Sequence, residues 1–209
     1  MGRKTGTRDL RNTIAIVGDG YVEKYYFEDM RDHEDTTGDW YQILPRLPEK
    51  SGNFDKAINK AISLLNREID KVFAIVDMDK VLSDGKENEF LEKQKEIAQL
   101  NKKKDGKICL CYCNPCFEYW LLLHFKFIKN HFKKCQKIEN KLVKQINNYK
   151  KSQKYHSKVN LYKKLYPKLK TAITNSEKSE ESYIKQSNDY HPISTIHKIF
   201  YDLRIGTNY

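Results

Sequence analysis

Four acidic residues in this 209-residue chain stand where a carboxylate can do chemistry. Glu23 follows "TIAIVGDGYV", Asp77 and Asp79 close "KVFAIVDMD", and Glu118 comes just after the cysteine run in "CYCNPCFE". The segments before them are apolar and largely β-branched, as parallel strands are. In an open parallel sheet the carboxyl ends of the strands share one edge, and ligand sites form there, so the four acids could converge. Like charges held close raise one another's pKa unless a cation sits among them, so convergence implies a hard metal or a shared proton. A carboxylate-held Mg²⁺ can activate water and stabilise a leaving oxygen, which is phosphate chemistry. Taken singly, each acid has a plainer explanation. Asp77 and Asp79 could cap a helix or loop, and Glu118 could be an acid favoured at a helix N-terminus.

The turn before Glu23 sharpens the choice. Gly18-Asp19-Gly20 begins like a nucleotide-binding loop, but Glu23 stands where a dinucleotide fingerprint needs its third glycine, and the Gly-Lys-Ser/Thr of a P-loop is absent. Such a turn still delivers a helix N-terminus to an anionic group, so free N–H groups and a carboxylate reach the same phosphate. Glu23 is therefore expected as general acid/base or metal ligand, Asp77 and Asp79 as metal ligands, and Glu118 as a further ligand or orienting group. His124 lies six residues after Glu118, about 240° round a helix at ~100° per residue, which places it in the core or behind the site. Asn114 and His197 complete the expected supporting set.

The elements that must position these residues alternate. Strands are expected at 12–17, 40–44, 71–76 and 107–113, and helices at 21–31, 53–68, 86–103 and from Pro115 to about 130. Asn114-Pro115 reads as a cap and first-turn proline of that fourth helix. Strands separated by helices make an α/β fold with a mainly parallel sheet flanked by helices. The stretch 130–185 reads as lysine-rich helix with a loop near 174–182, and His191-Pro192 as the start of a final helix to about Leu203. The expected organisation is an α/β core over 1–130 and a basic helical region over 131–209 that packs back on it.

The formal net charge is +11, and it is concentrated. Residues 126–170 hold fifteen lysines against the single acid Glu139, which is 15 − 1 = +14, so the rest of the chain sums to −3. Phe127, Phe132, Tyr149, Tyr155, Tyr162 and Tyr166 interleave with those lysines, a mixture that can neutralise phosphates and stack bases. Lys133, Lys134, Lys150, Lys151, Lys154, Lys163 and Lys164 are the expected nucleic-acid contacts. The plainer alternative is a solvated helix face with its aromatics turned to the core. The apolar stretches are short, "VFAIV" at Val72 to Val76 and "WLLL" at Trp120 to Leu123 among them, so neither a signal peptide nor a membrane span is expected and the protein reads as cytoplasmic. Four of five cysteines crowd into Cys109–Cys116, which suits a reducing compartment better than a disulfide scaffold. Cys113 and Cys116 have zinc-knuckle spacing but lack a second pair, so core packing is the expectation.

A glutamate after the first strand with Asp-x-Asp after a later one resembles the Toprim pattern of topoisomerases, primases and OLD-type nucleases. More closely, "GDGYVEKYYF", "AIVDMDK", "NPCFEYWLLLHF" and "HPISTIHKI" resemble the RloB and AbiLii family of bacterial abortive-infection proteins over most of the chain. Asn114 to Phe125 is the most specific piece. Val22 stands where members commonly have Thr, and His191-Pro192 where they commonly have Asn-Pro. The resemblance implies a Toprim-like core and dependence on Mg²⁺ or Mn²⁺. It also implies a toxic, nuclease-like role in phage defence, acting on RNA, tRNA included, or on DNA, often beside an ATPase partner. The alternative is a non-catalytic nucleic-acid-binding or sensor subunit that works with an ATPase and whose acids are structural.

Overall fold

Five consecutive buried residues, Val72 to Val76, fill the strand Lys71–Asp77, a pattern that only a strand covered on both faces allows. In the computed structural model, which describes residues 12–34, 41–46, 54–65, 69–104, 107–132, 134–186 and 191–206, that strand is central. The strands are β1 (Asn12–Val17), β2 (Tyr41–Arg46), β3 (Lys71–Asp77), β4 (Lys107–Asn114) and β5 (Ile193–Ser194), and they pair in the order β2-β1-β3-β4-β5. The first four are parallel and β5 is antiparallel to β4. The helices are α1 (Tyr21–Glu34), α2 (Phe54–Leu65), α3 (Met78–Ser83), α4 (Glu87–Lys103), α5 (Glu118–Leu123), α6 (Gln136–Leu142), α7 (Gln153–His156), α8 (Leu161–Leu165), α9 (Leu169–Gln186) and α10 (His197–Leu203). This is the mainly parallel α/β sheet flanked by helices that the Toprim resemblance implies.

The period of two along the strands divides the core. Phe73 and Ile75 join Ile14, Ile16, Cys111 and Cys113 against α1, α5 and the later helices. Val72, Ala74 and Val76 join Ala15 and Val17 against α2 and α4. The cysteines of β4 are thus spaced to fill one face of a buried strand. Residues beyond 130 complete both the sheet and its covering: β5 extends it, α8 packs on α1, and α9 packs on α5.

Three expected elements differ. The helix expected from Pro115 to 130 is confined to Glu118–Leu123, because residues 114–117 are occupied otherwise. The Phe117 N–H donates to Asp77 Oδ1 at 2.9 Å, and the Asp79 N–H donates to the Pro115 carbonyl at 2.9 Å, so the turn after β4 is clamped to the turn after β3. Asn114 is no helix cap: it ends β4, its peptide bond to Pro115 is cis, and its Nδ2 donates to the His191 carbonyl at 2.8 Å. The loop expected near 174–182 is the middle of α9. Its serines are partners for β5: Ser176 Oγ donates to the Ser194 carbonyl at 2.7 Å, and the Ser194 N–H donates to Ser179 Oγ at 3.0 Å. The segment opened by His191-Pro192 first forms β5, and the helix starts only at His197. A two-residue strand is too short to leave a periodic pattern.

Trp120 ties this packing together. Fully buried in α5, its ring stacks on Phe200 of α10 at 5.2 Å and meets the His124 ring edge-on at 5.0 Å. Trp120→Ala should therefore cost about 3–5 kcal/mol of stability. Urea unfolding checks this, and a loss below about 1 kcal/mol would mean that α5 does not pack on α10 in this way.

Candidate active site

The carboxyl ends of β1, β3 and β4 bring Glu23, Asp77, Asp79 and Glu118 to the wall of one cavity of 280 Å³. Asp19, Lys80, Lys151 and His156 line it as well. The glycines of the first turn explain how Glu23 gets there. A Cβ on Gly18 would lie 2.4 Å from Glu23 Cβ, and one on Gly20 would lie 3.0 Å from Glu23 Oε2. The Glu23 side chain folds back over the turn through space that only residues without a Cβ leave. Glu23 sits in the first turn of α1 and Asp79 in the first turn of α3, positions where backbone N–H groups favour negative charge. Asp77 is held by the Phe117 N–H, the same bond that places Glu118 after its turn.

Burial and mutual repulsion set the protonation of this group. Glu23 is raised from 4.5 to about 7, first by burial and then by the Glu118 charge. Asp77 lies well above the usual carboxylate range, again through burial first and then through Glu23 and Glu118. Asp79 and Glu118 are both raised by burial, with Lys151 opposing. Lys151 Nζ lies 2.9 Å from Glu118 Oε1 and 3.6 Å from Glu139 Oε1. Burial alone would lower the Lys151 pKa, but Glu118 together with Asp77 and Glu139 outweighs it and the ammonium is held above its ordinary value. Tyr149 Oη donates to the same Glu118 oxygen at 3.4 Å.

The basic segment is arranged differently from its sequence. Lys134, Lys150, Lys154, Lys163 and Lys164 are exposed, Lys133 lies outside the described residues, and Lys151, itself 39% exposed, directs its ammonium to Glu118 in the wall of the carboxylate cavity. Among the described residues, Lys151 is the only lysine of 126–170 in a salt bridge. The interleaved aromatics mostly face inward. Phe132, Tyr149 and Tyr162 are buried, Phe127 and Tyr155 partly so, and Tyr166 alone is an exposed ring, so base stacking on this set is largely excluded.

The expected supporting residues lie elsewhere. His124 is buried with Nδ1 against the Trp120 carbonyl at 3.1 Å, and burial lowers it to about 4, so it is a neutral core residue. His197 is held by Ser176 Oγ at 2.8 Å and Glu180 at 3.3 Å, away from the cavity. Asn114 anchors the chain before β5. The sequence reading missed Asp19 and Lys80, although both stand inside the motifs it used. It also missed His156, which long-range folding alone brings in. His156 is buried, is lowered to about 4 by burial and then by Lys151, and neither ring nitrogen has a hydrogen-bond partner among the described residues.

The donor set suits a hard divalent cation. It consists of carboxylate oxygens that share one cavity, but among the described residues no three of Glu23, Asp77, Asp79 and Glu118 bring donor atoms within 4.8 Å of one another, so they form no closed cage; Mg²⁺ keeps several waters and takes few carboxylates. Among the described residues, the one group of three whose donor atoms all lie within 4.8 Å of one another is Cys116, Glu118 and Cys135. Those two cysteines are joined in a disulfide, which corrects the expectation that all the thiols are free and core-filling. Cys111 and Cys113 are free and buried, and Cys113 Sγ faces Ser194 Oγ at 3.8 Å. The Cys113/Cys116 pair is therefore not a zinc knuckle.

A family model described as RloB-like protein matches residues 14–203. No curated protein and no solved structure matches the chain. Among the described residues, no helix is long and apolar enough to cross a membrane.

Two outcomes follow from this geometry. Gly18→Ala should displace Glu23 and cost about 1–3 kcal/mol, as overpacking does, measured by urea unfolding beside wild type. For pH, the folded Glu23 binds its proton more tightly than the unfolded one. The stability it contributes is complete below about pH 4.5 and is lost as pH rises through about 7. In chelator, Glu23→Gln should therefore gain on wild type across that window. Urea midpoints that differ by the same amount at pH 4.5 and pH 8 would show that Glu23 is not so perturbed.

Proposed function

The chain belongs to the RloB-like protein family, and from that premise we propose that it is a divalent-metal-dependent phosphodiesterase acting on nucleic acid in defence against phage. The observation that carries this reading is the convergence of Glu23, Asp77, Asp79 and Glu118 on one cavity beside an exposed lysine surface. Asp77 and Asp79 would hold Mg²⁺ or Mn²⁺, with Glu23 as a third ligand or as general acid/base. Such an ion supplies a Lewis acid for the phosphate and lowers the pKa of bound water. In the cation-free cavity Glu23 is raised to about 7, near the operating pH at which a general acid/base works best; a cation bound to it would lower that value, so Glu23 serves as acid/base only where it is not itself a ligand. Gly20 and the start of α1, Tyr21 to Glu23, line the same cavity, and a helix start suits a phosphate oxygen. Lys151 orients Glu118 and offsets part of the charge that a second phosphate oxygen would meet.

The exposed lysines Lys134, Lys150, Lys154, Lys163 and Lys164 track the polyanion, with Lys150 and Lys154 flanking the cavity wall formed by Ser152 and Gln153. The substrate is RNA, tRNA included, or DNA, and an ATPase partner works beside the protein. One observation favours a second reading. Lys151 already neutralises Glu118 as a cation would, as expected of a non-catalytic nucleic-acid-binding or sensor subunit.

Purified protein incubated with total tRNA, single-stranded DNA and duplex DNA in Mg²⁺, Mn²⁺ or EDTA should give fragments only with metal. Asp77→Asn keeps the shape of the side chain and relieves repulsion, so it should fold as wild type yet lose cleavage and phage restriction. Full restriction by Asp77→Asn would move the protein to the sensor reading. Lys163→Ala with Lys164→Ala should weaken binding to all sequences alike and reduce the log–log salt slope by about 2. An unchanged slope in filter-binding titrations would mean that α8 does not contact the backbone.

A further inference from the structure

The disulfide between Cys116 and Cys135 joins the carboxylate cavity to the basic segment. Cys116 lies in the turn whose Pro115 carbonyl holds the Asp79 N–H, two residues before Glu118, and Cys135 precedes α6. Both are buried. Cys135 Sγ lies 3.1 Å from Glu118 Oε2 and 3.4 Å from Lys151 Nζ. A disulfide sulfur has no proton to donate, so Oε2 faces sulfur lone pairs while Lys151 and Tyr149 both serve Oε1. A Cys135 thiol would place an S–H donor at that same position.

We propose that Cys116 and Cys135 form a reversible thiol–disulfide modification site that controls the Glu118–Lys151 pair, and through it the access of a divalent cation to the cavity. The clause about the cation rests on the reading of the cavity as a metal site. In the disulfide form, α6 and the chain leading to Lys151 are tied to the turn before Glu118, and the ammonium occupies the carboxylate face that a cation would use. In the dithiol form the tie is gone and Cys135 donates to Oε2. Glu118 then depends less on Lys151, and the lysine can yield to a cation. A purely structural staple would not need its sulfur against both partners of an ion pair whose carboxylate is buried.

Closure proceeds by exchange with a small-molecule disulfide such as oxidised glutathione. One cysteine thiolate attacks it, forms a mixed disulfide and releases one glutathione thiol. The second thiolate displaces the other, so two electrons and two protons pass from the protein thiols to glutathione. A dithiol reductant reverses the sequence. Cys135 is 8% exposed and Cys116 1%, so Cys135 is the sulfur that a reagent reaches first. In a reducing compartment, pairs of this kind are characteristically transient and redox-sensing.

The test uses the full-length chain in its two redox states, each freed of reagent. In chelator, residue-resolved mass spectrometry should find Lys151 acylated several-fold faster in the dithiol form, with Lys163 and Lys164 unchanged. Mn²⁺, followed by the signal of the free ion, should bind the dithiol form about tenfold more tightly, within the usual range for coupled sites. By reciprocity, saturating Mn²⁺ should shift the glutathione ratio for half-closure by the same factor. Cys135→Ser removes the tie but keeps a donor, so it should behave as the dithiol form under both conditions. If it does not fold, the two states of the wild type still decide.

Equal Lys151 reactivity in the two states overturns the proposal whatever the metal result. Redox-dependent Lys151 with no Mn²⁺ bound in either state keeps the thiol control and removes the metal reading. One zinc per chain retained on Cys116 and Cys135 after reduction also overturns it, because the thiols would then be ligands.

Discussion

Like charges crowded into a buried edge of a sheet repel one another, and most of this molecule's particular features answer that repulsion. Asp77 is raised by burial and by both Glu23 and Glu118, and Glu23 in turn by burial and Glu118. The acids could sit apart at no such cost. They are instead fixed by covalent and hydrogen-bonded constraints that leave them no room to separate. Two glycines let Glu23 fold over its own turn, and the reciprocal bonds Phe117 N–H to Asp77 and Asp79 N–H to Pro115 lock the turns after β3 and β4 together. Backbone geometry thus holds charge in place against electrostatics, as preorganised sites do.

The offsetting charge comes from far along the chain. Lys151 belongs to the most basic stretch of the sequence, yet its ammonium pairs with Glu118 and Glu139 while its neighbours Lys150 and Lys154 remain in solvent. One segment therefore has two electrical roles, an outward polycationic face and a single inward counter-charge. The aromatics between the lysines support the second role. Tyr149 donates to Glu118, and Tyr162 donates to Glu34 of α1 at 2.6 Å, so these rings anchor the segment to the core in place of bases. This linkage also explains why residues after 130 are needed to finish the cavity: Ser152, Gln153 and His156 form part of its wall.

The opposite side of the sheet edge is closed by polar groups that the sequence disguises. Ser176, Ser179 and Ser194 form a buried chain of bonds between α9 and β5, and Thr195 Oγ1 accepts the Tyr112 N–H at 2.9 Å. Each satisfies a backbone group that a lone two-residue strand would leave orphaned. Serines that look like loop-formers by composition are therefore structural partners here, and α9 runs through them unbroken.

The sequence by itself determined what depends on local pattern. Continuous apolar runs ending in acids fixed β1 and β3, and their alternation with helices fixed the parallel sheet. The shared carboxyl edge then followed from topology, and with it the meeting of Glu23, Asp77, Asp79 and Glu118 at one cavity. Composition fixed the cationic face. Only the tertiary structure decided the features that depend on which distant side chains meet. It turned Lys151 inward and brought His156 to the cavity. It paired Cys116 with Cys135 and sent His197 to α9. It also reduced a long expected helix to α5. The physical reason is range. Propensity and periodicity act over a few residues, whereas a buried carboxylate takes its counter-charge, and a cysteine its partner, from whatever the fold brings within a few ångströms.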